Sequence, residues 1–101
     1  MTVKLNIDWR NREVITEREL ADKIDDRVKE VLENKDSYEE YLDDYIDCNY
    51  TKMELFGILA SGNQSIVEET LNDIRNGVQE SIFDWCDMDT RSDYDIVTIE
   101  V

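Results

Sequence analysis

Histidine and proline are absent from these 101 residues, and glycine occurs only three times, as Gly57, Gly62 and Gly77. Without histidine there can be no Ser/His/Asp or Cys/His nucleophilic arrangement, no histidine general base and few transition-metal sites. Three scattered glycines form neither GxxxxGK[ST] nor GxGxxG, which argues against a loop that cradles phosphate. Cys48 and Cys86 lack the spacing of a zinc site or a CxxC redox pair. No signal peptide is evident, since Met1 leads directly into a charged, strand-like segment, so a disulfide is not expected. No apolar run is long enough to span a bilayer. The chain reads as a soluble, cytoplasmic protein with no cofactor.

Positive charge is the next scarcity. The net charge is −15, from 26 acids and 11 bases. Residues 1–35 hold nine acids and eight bases, a balance of −1, whereas residues 36–101 hold 17 acids and only Lys52, Arg75 and Arg91, a balance of −14. Halophilic adaptation would spread acid along the whole chain, and solubility needs a net charge of only about 2–8 in magnitude for a small domain. A field of this sign repels nucleic acid and anionic membrane and attracts basic surfaces.

What is present is a compact amphipathic pattern. Hydrophobic residues make up 41% of the chain, including two Trp, two Phe and five Tyr, enough for one buried core in a single domain spanning residues 1–101. Four Ser/Thr-x-x-Glu capping boxes punctuate it: Thr16/Glu19, Ser37/Glu40, Thr51/Glu54 and Ser65/Glu68. They predict helices over Glu17–Asn34, Tyr38–Cys48, Lys52–Ala60 and Ile66–Trp85. The expected inward stripes are Leu20, Ile24, Val28, Val31 and Leu32 in the first helix and Tyr38, Tyr41, Leu42, Tyr45 and Ile46 in the second. Leu55, Phe56 and Leu59 are expected inward in the third, with Gly62 as its stop. Val67, Leu71, Ile74, Val78, Ile82 and Trp85 are expected inward in the fourth, where Gly77 costs up to about 1 kcal/mol relative to alanine.

Thr2–Asp8 and Tyr94–Val101 alternate as half-buried strands, with Val3, Leu5 and Ile7 on one face and Val97, Ile99 and Val101 apolar. A short third strand fits Glu13–Thr16 after the turn at Trp9–Arg12. The simplest assembly is α+β: a small antiparallel sheet joining the terminal strands, packed against about four helices.

Chemistry is sparse. Paired carboxylates abound, but acid–base catalysis needs one of them desolvated in a cleft, and a single small core leaves little room for one. No enzymatic activity is expected. The stretch Asp87-Met-Asp-Thr-Arg-Ser-Asp-Tyr-Asp95 departs from the EF-hand pattern, with Arg91, Ser92 and Thr98 where Asp or Asn, Gly and Glu belong. It reads as an acidic connection between helix and strand.

The acids themselves are the candidate site. On the second helix Glu39, Asp43 and Asp47 form one i, i+4 row and Glu40 and Asp44 another, each step rising about 6 Å. Phosphates of a DNA strand are about 3.4 Å apart along the axis, so the rows present anions at a comparable density. The fourth helix adds Glu68, Glu69, Asp73, Glu80 and Asp84, continued by Asp87 and Asp89. Like charges at i, i+4 destabilise a helix by a few tenths of a kcal/mol each, and Lys52 and Arg75 are the only bases between residues 36 and 90.

The run EVITERELADKIDDRVKEVLEN (Glu13–Asn34) followed by SYEEYLDDYIDCNYTKMELF (Ser37–Phe56) resembles small acidic proteins of phages and mobile elements of Gram-positive bacteria. Some proteins of such origin are anti-CRISPR inhibitors of type II systems. The resemblance implies binding to Cas9 in the bacterial host cytoplasm, by imitating the DNA that its basic groove expects. Two other readings of the acidic face stand beside it: an antitoxin or immunity-type protein capping a basic nuclease, and a phage structural or regulatory protein, monomeric or dimeric, whose acidity serves solubility.

Overall fold

The computed structural model describes Met1–Val101. In chain order its elements are β1 (Thr2–Asp8), β2 (Glu13–Thr16), α1 (Glu17–Glu33), α2 (Lys35–Asn49), α3 (Lys52–Ala60), α4 (Gln64–Arg91) and β3 (Asp95–Glu100). The three strands form an antiparallel sheet in the order β2-β1-β3, the expected α+β arrangement with the short third strand included. Contacts group the chain into two compact units, residues 1–30 with 83–101, and residues 31–82.

The first unit is built on the sheet. The Asp8 carboxylate accepts from the backbone N–H groups of Arg10 and Asn11 at 3.0 and 3.1 Å and from the Asn11 amide at 2.8 Å. These bonds, those from Asn11 above all, hold its carboxyl below the usual carboxylate range. They also fix the turn that reverses β1 into β2, which Arg12 completes in a left-handed conformation (φ 54°). Thr16 ends β2 and caps α1 directly. Its hydroxyl accepts from the Glu19 N–H at 3.2 Å while the Glu19 carboxylate reaches back to Thr16, a complete capping box.

With no loop between β2 and α1, and with Ile15 and Leu20 both buried, α1 lies on the side of the sheet to which Ile15 points. Ile15 pairs with Asn6, and cross-strand partners share a face. The covered face of β1 is therefore Asn6 and Asp8, not the Val3-Leu5-Ile7 face that alternation alone suggests. Asn6, 1% exposed, donates to Glu17 Oε1 at 3.0 Å. Glu17 also receives Arg91 Nη1 at 3.3 Å, and both partners keep its carboxyl low. Every residue of β3 is exposed, where half-burial was expected.

In α4 the predicted stripe is displaced. Leu71 and Trp85 are exposed, and the buried row is Thr70, Ile74, Val78, Ile82, Cys86 and Thr90. A step of four residues turns about 40° beyond a full circle, so this row winds around the helix instead of running straight along it. Thr70 satisfies its hydroxyl on the Ile66 carbonyl at 2.9 Å. The helix also continues to Arg91 rather than stopping at Trp85, so Asp87–Arg91 is helical and not a loop.

Two predicted caps move upstream. The Asn34 side chain accepts from the Ser37 N–H at 3.2 Å, and Asn63 from the Ile66 N–H at 3.3 Å, so α2 and α4 begin before Ser37 and Ser65 take any part. Asparagine caps as well as serine does, and the earlier start adds residues to each helix. Thr51 and Glu54 form the expected box at α3, with the Glu54 N–H bonded to Thr51 Oγ1 at 3.0 Å. Gly62, in the left-handed region (φ 72°), follows the end of α3 as predicted.

Candidate protein-binding face of helices α2 and α3

In the second unit α2 presents Tyr38, Tyr41, Leu42, Tyr45 and Ile46 on its half-buried side, the stripe its spacing predicts. What holds that side is Tyr45. Its ring occupies the space a Cβ at Gly77 would need, so glycine is the residue that lets the tyrosine approach the α4 backbone. The Tyr45 hydroxyl donates to Asp73 Oδ2 at 3.3 Å, and the Tyr50 hydroxyl donates to the same oxygen at 2.6 Å. The bond to Asp73 pushes the Tyr50 phenol up to about 12. Burial, then the Asp73 charge, raises Tyr45 as well.

With one side of α2 fixed in this way, the other side is a display. Glu39, Glu40, Asp43, Asp44 and Asp47 are all exposed, in the two rows expected. The one base in the helix, Lys35, sits 3.7 Å from Glu39, and the remaining four acids make no ion pair. Of the predicted α4 acids in this unit, Glu68, Glu69 and Glu80 are exposed; Glu68 accepts from Gln64 at 3.3 Å. Asp73 is not a free anion on that display, because its carboxylate anchors the two tyrosines.

The three remaining candidates belong to the first unit. Asp84 is exposed, Asp87 accepts from Arg91 Nε at 2.9 Å, and Asp89 is paired with Arg27. Asp87 is thus neutralised by the base one turn on, and Asp89 by a base from a distant segment. Glu68, Glu69, Glu80 and Asp84 make no ion pair either, but they are spread along α4, and the densest run of unpaired acids is that of α2.

The residues that sequence reading misplaced are on α3. Phe56 was expected inward and is 73% exposed; Leu59 and Met53 are also exposed. The signal was present, since KMELFGILA is apolar on every side of a nine-residue helix, and such a helix cannot bury all its faces at a domain surface. Asp43, Ile46 and Asp47 of α2 and Lys52, Leu55, Phe56 and Leu59 of α3 line a groove of about 510 Å³. An apolar floor is therefore bordered directly by one acidic row. No group of His, Cys, Asp or Glu side chains is arranged to hold a metal ion, and no helix is long and apolar enough to cross a membrane.

No protein-family model, curated protein or solved structure matches this chain.

Proposed function

We propose that this protein is a non-enzymatic inhibitor that seats the acidic face of α2 on a basic, nucleic-acid-binding surface of another protein. The observation that carries this reading is the arrangement of α2: five exposed carboxylates in two fixed rows, with a single weakly placed lysine, on a helix pinned from behind. Such paired rows offer guanidinium and ammonium groups anions at a density comparable to that of phosphates along a DNA strand. Long-range attraction from a chain of net charge −15 would speed the encounter. The groove beside Asp43 and Asp47 adds what charge alone lacks, an apolar contact with Phe56 as the aromatic anchor. A nuclease-capping immunity protein would use the same surface. A purely solubilising role leaves Phe56 unexplained. The sequence resemblance makes a Cas9-type effector with its guide RNA the first target to test.

The test is affinity measured across salt concentrations for wild type and the triple variant Glu39→Lys, Asp43→Lys, Asp47→Lys. Binding should weaken steeply with salt in the wild type, and the variant should lose about 100-fold or more while keeping its helical circular dichroism. Phe56→Ala should cost about tenfold without changing the salt slope. Affinity that ignores both charge reversal and salt would overturn the proposal.

A further inference from the structure

The open face of the sheet is a second surface of opposite character. Cross-strand partners share a face, so the register places Val3 beside Ile99, Leu5 beside Val97 and Thr16, and Ile7 beside Val14 and Asp95. The helix-covered side of the sheet is that of Asn6 and Ile15, which leaves this apolar side uncovered: Val3 is 43%, Val14 57% and Ile99 44% exposed, while Leu5 and Ile7 on the central strand are half-buried between their neighbours. Trp9, 70% exposed, closes one end. Its indole N–H donates to Asp95 Oδ2 at 2.8 Å, and that carboxylate is the only charge among these residues. The strand surface itself is therefore nearly neutral in a chain of net charge −15, with Arg10 and Asp93 beside Trp9 at its one end.

We infer that this face binds a second copy of the chain, the two three-stranded sheets stacking face to face as a small sandwich. Three features choose that occupant. A basic partner is recognised by carboxylates, and this face offers one, already hydrogen-bonded. Two copies of so acidic a protein repel least where charge is sparse, and the sheet face is such a place. Its size is also adequate. With their exposed surface fully covered, Val3, Leu5, Ile7, Trp9, Val14, Val97 and Ile99 would offer at most on the order of 500 Å² per copy, or about 1,000 Å² in total, the lower bound for a specific but reversible interface. Stacked sheets sit about 10 Å apart with interdigitating side chains, which the alternation of Val, Leu and Ile on these strands allows. The inference does not depend on the function proposed for α2.

Sedimentation of the full chain from micromolar to millimolar concentration tests it. A monomer–dimer equilibrium is expected, and it should strengthen with salt as the charge of the two copies is screened. This is the opposite of the salt dependence expected for the acidic face. Val14→Lys and Ile99→Lys, both at exposed positions, should each weaken dimerisation about tenfold or more, with thermal melting unchanged at concentrations where the wild type is monomeric, even though each lowers the net negative charge. Asp44→Lys on α2 also lowers it and should not weaken the dimer. A wild type that stays monomeric at millimolar concentration and high salt overturns the inference. So does a dimer that both sheet variants leave intact.

Discussion

Gly77 shows how a single position can invert a propensity argument. Alanine is favoured over glycine in a helix interior by about 1 kcal/mol, yet here a Cβ would run into the Tyr45 ring. Gly77→Ala should lower the melting temperature in the wild type and should be neutral or stabilising in a Tyr45→Ala background. Thermal melts of the four proteins in this cycle measure the coupling. Tyr50 offers a second residue-scale test. Its phenol is raised to about 12 in the folded protein from an ordinary 10.0, so the folded state holds the proton more tightly. The stability this contributes is complete below pH 10 and disappears as pH rises toward 12. Denaturant midpoints should fall across that window, and Tyr50→Phe should flatten the fall. A wild-type midpoint no steeper than that of the variant would contradict the bond to Asp73.

At the scale of elements the caps decide where helices begin. Asn34→Ala and Asn63→Ala should each destabilise by about 1 kcal/mol, and Ser37→Ala and Ser65→Ala by much less. Denaturant unfolding of the four variants compares them directly, and the reverse order would restore the serine boxes read from sequence. Those boxes failed because an asparagine, three residues before Ser37 and two before Ser65, offers the same hydrogen bond and a longer helix. Thr16 has no such competitor, and Asn49, two residues before Thr51, ends α2 with its amide on the Tyr45 carbonyl; both threonines behave as read. Helix existence was legible throughout, because apolar residues recur at helical spacing and no proline interrupts them. Which face each helix buries was legible for α2 and for the start of α1. It was not legible for α3, apolar all round, nor for α4, where the buried row winds and recruits Thr70, Cys86 and Thr90.

For the whole molecule the dominant quantity is charge. A net −15 on 101 residues opposes the folded state by self-repulsion. Added monovalent salt should therefore raise the melting temperature, with most of the gain below physiological ionic strength, where screening changes fastest. Flat melting temperatures in that range would show that the surviving ion pairs, Lys23–Glu13 and Arg91–Glu17 among them, offset the repulsion locally. The distribution of this charge is local information. Composition, periodicity and the order of acids along α2 were enough to place five carboxylates in two exposed rows, because a helix converts spacing directly into geometry. Pairing is not local. That Arg27 meets Asp89, that Asp73 serves two tyrosines, that Phe56 stands beside an acidic row and that the Val3-Leu5-Ile7 face is left open all depend on contacts between segments far apart in sequence. The sequence by itself determined the elements and the sign and density of the charge. Only the tertiary structure decided which charges are neutralised and which apolar faces stay bare, since both follow from how elements meet.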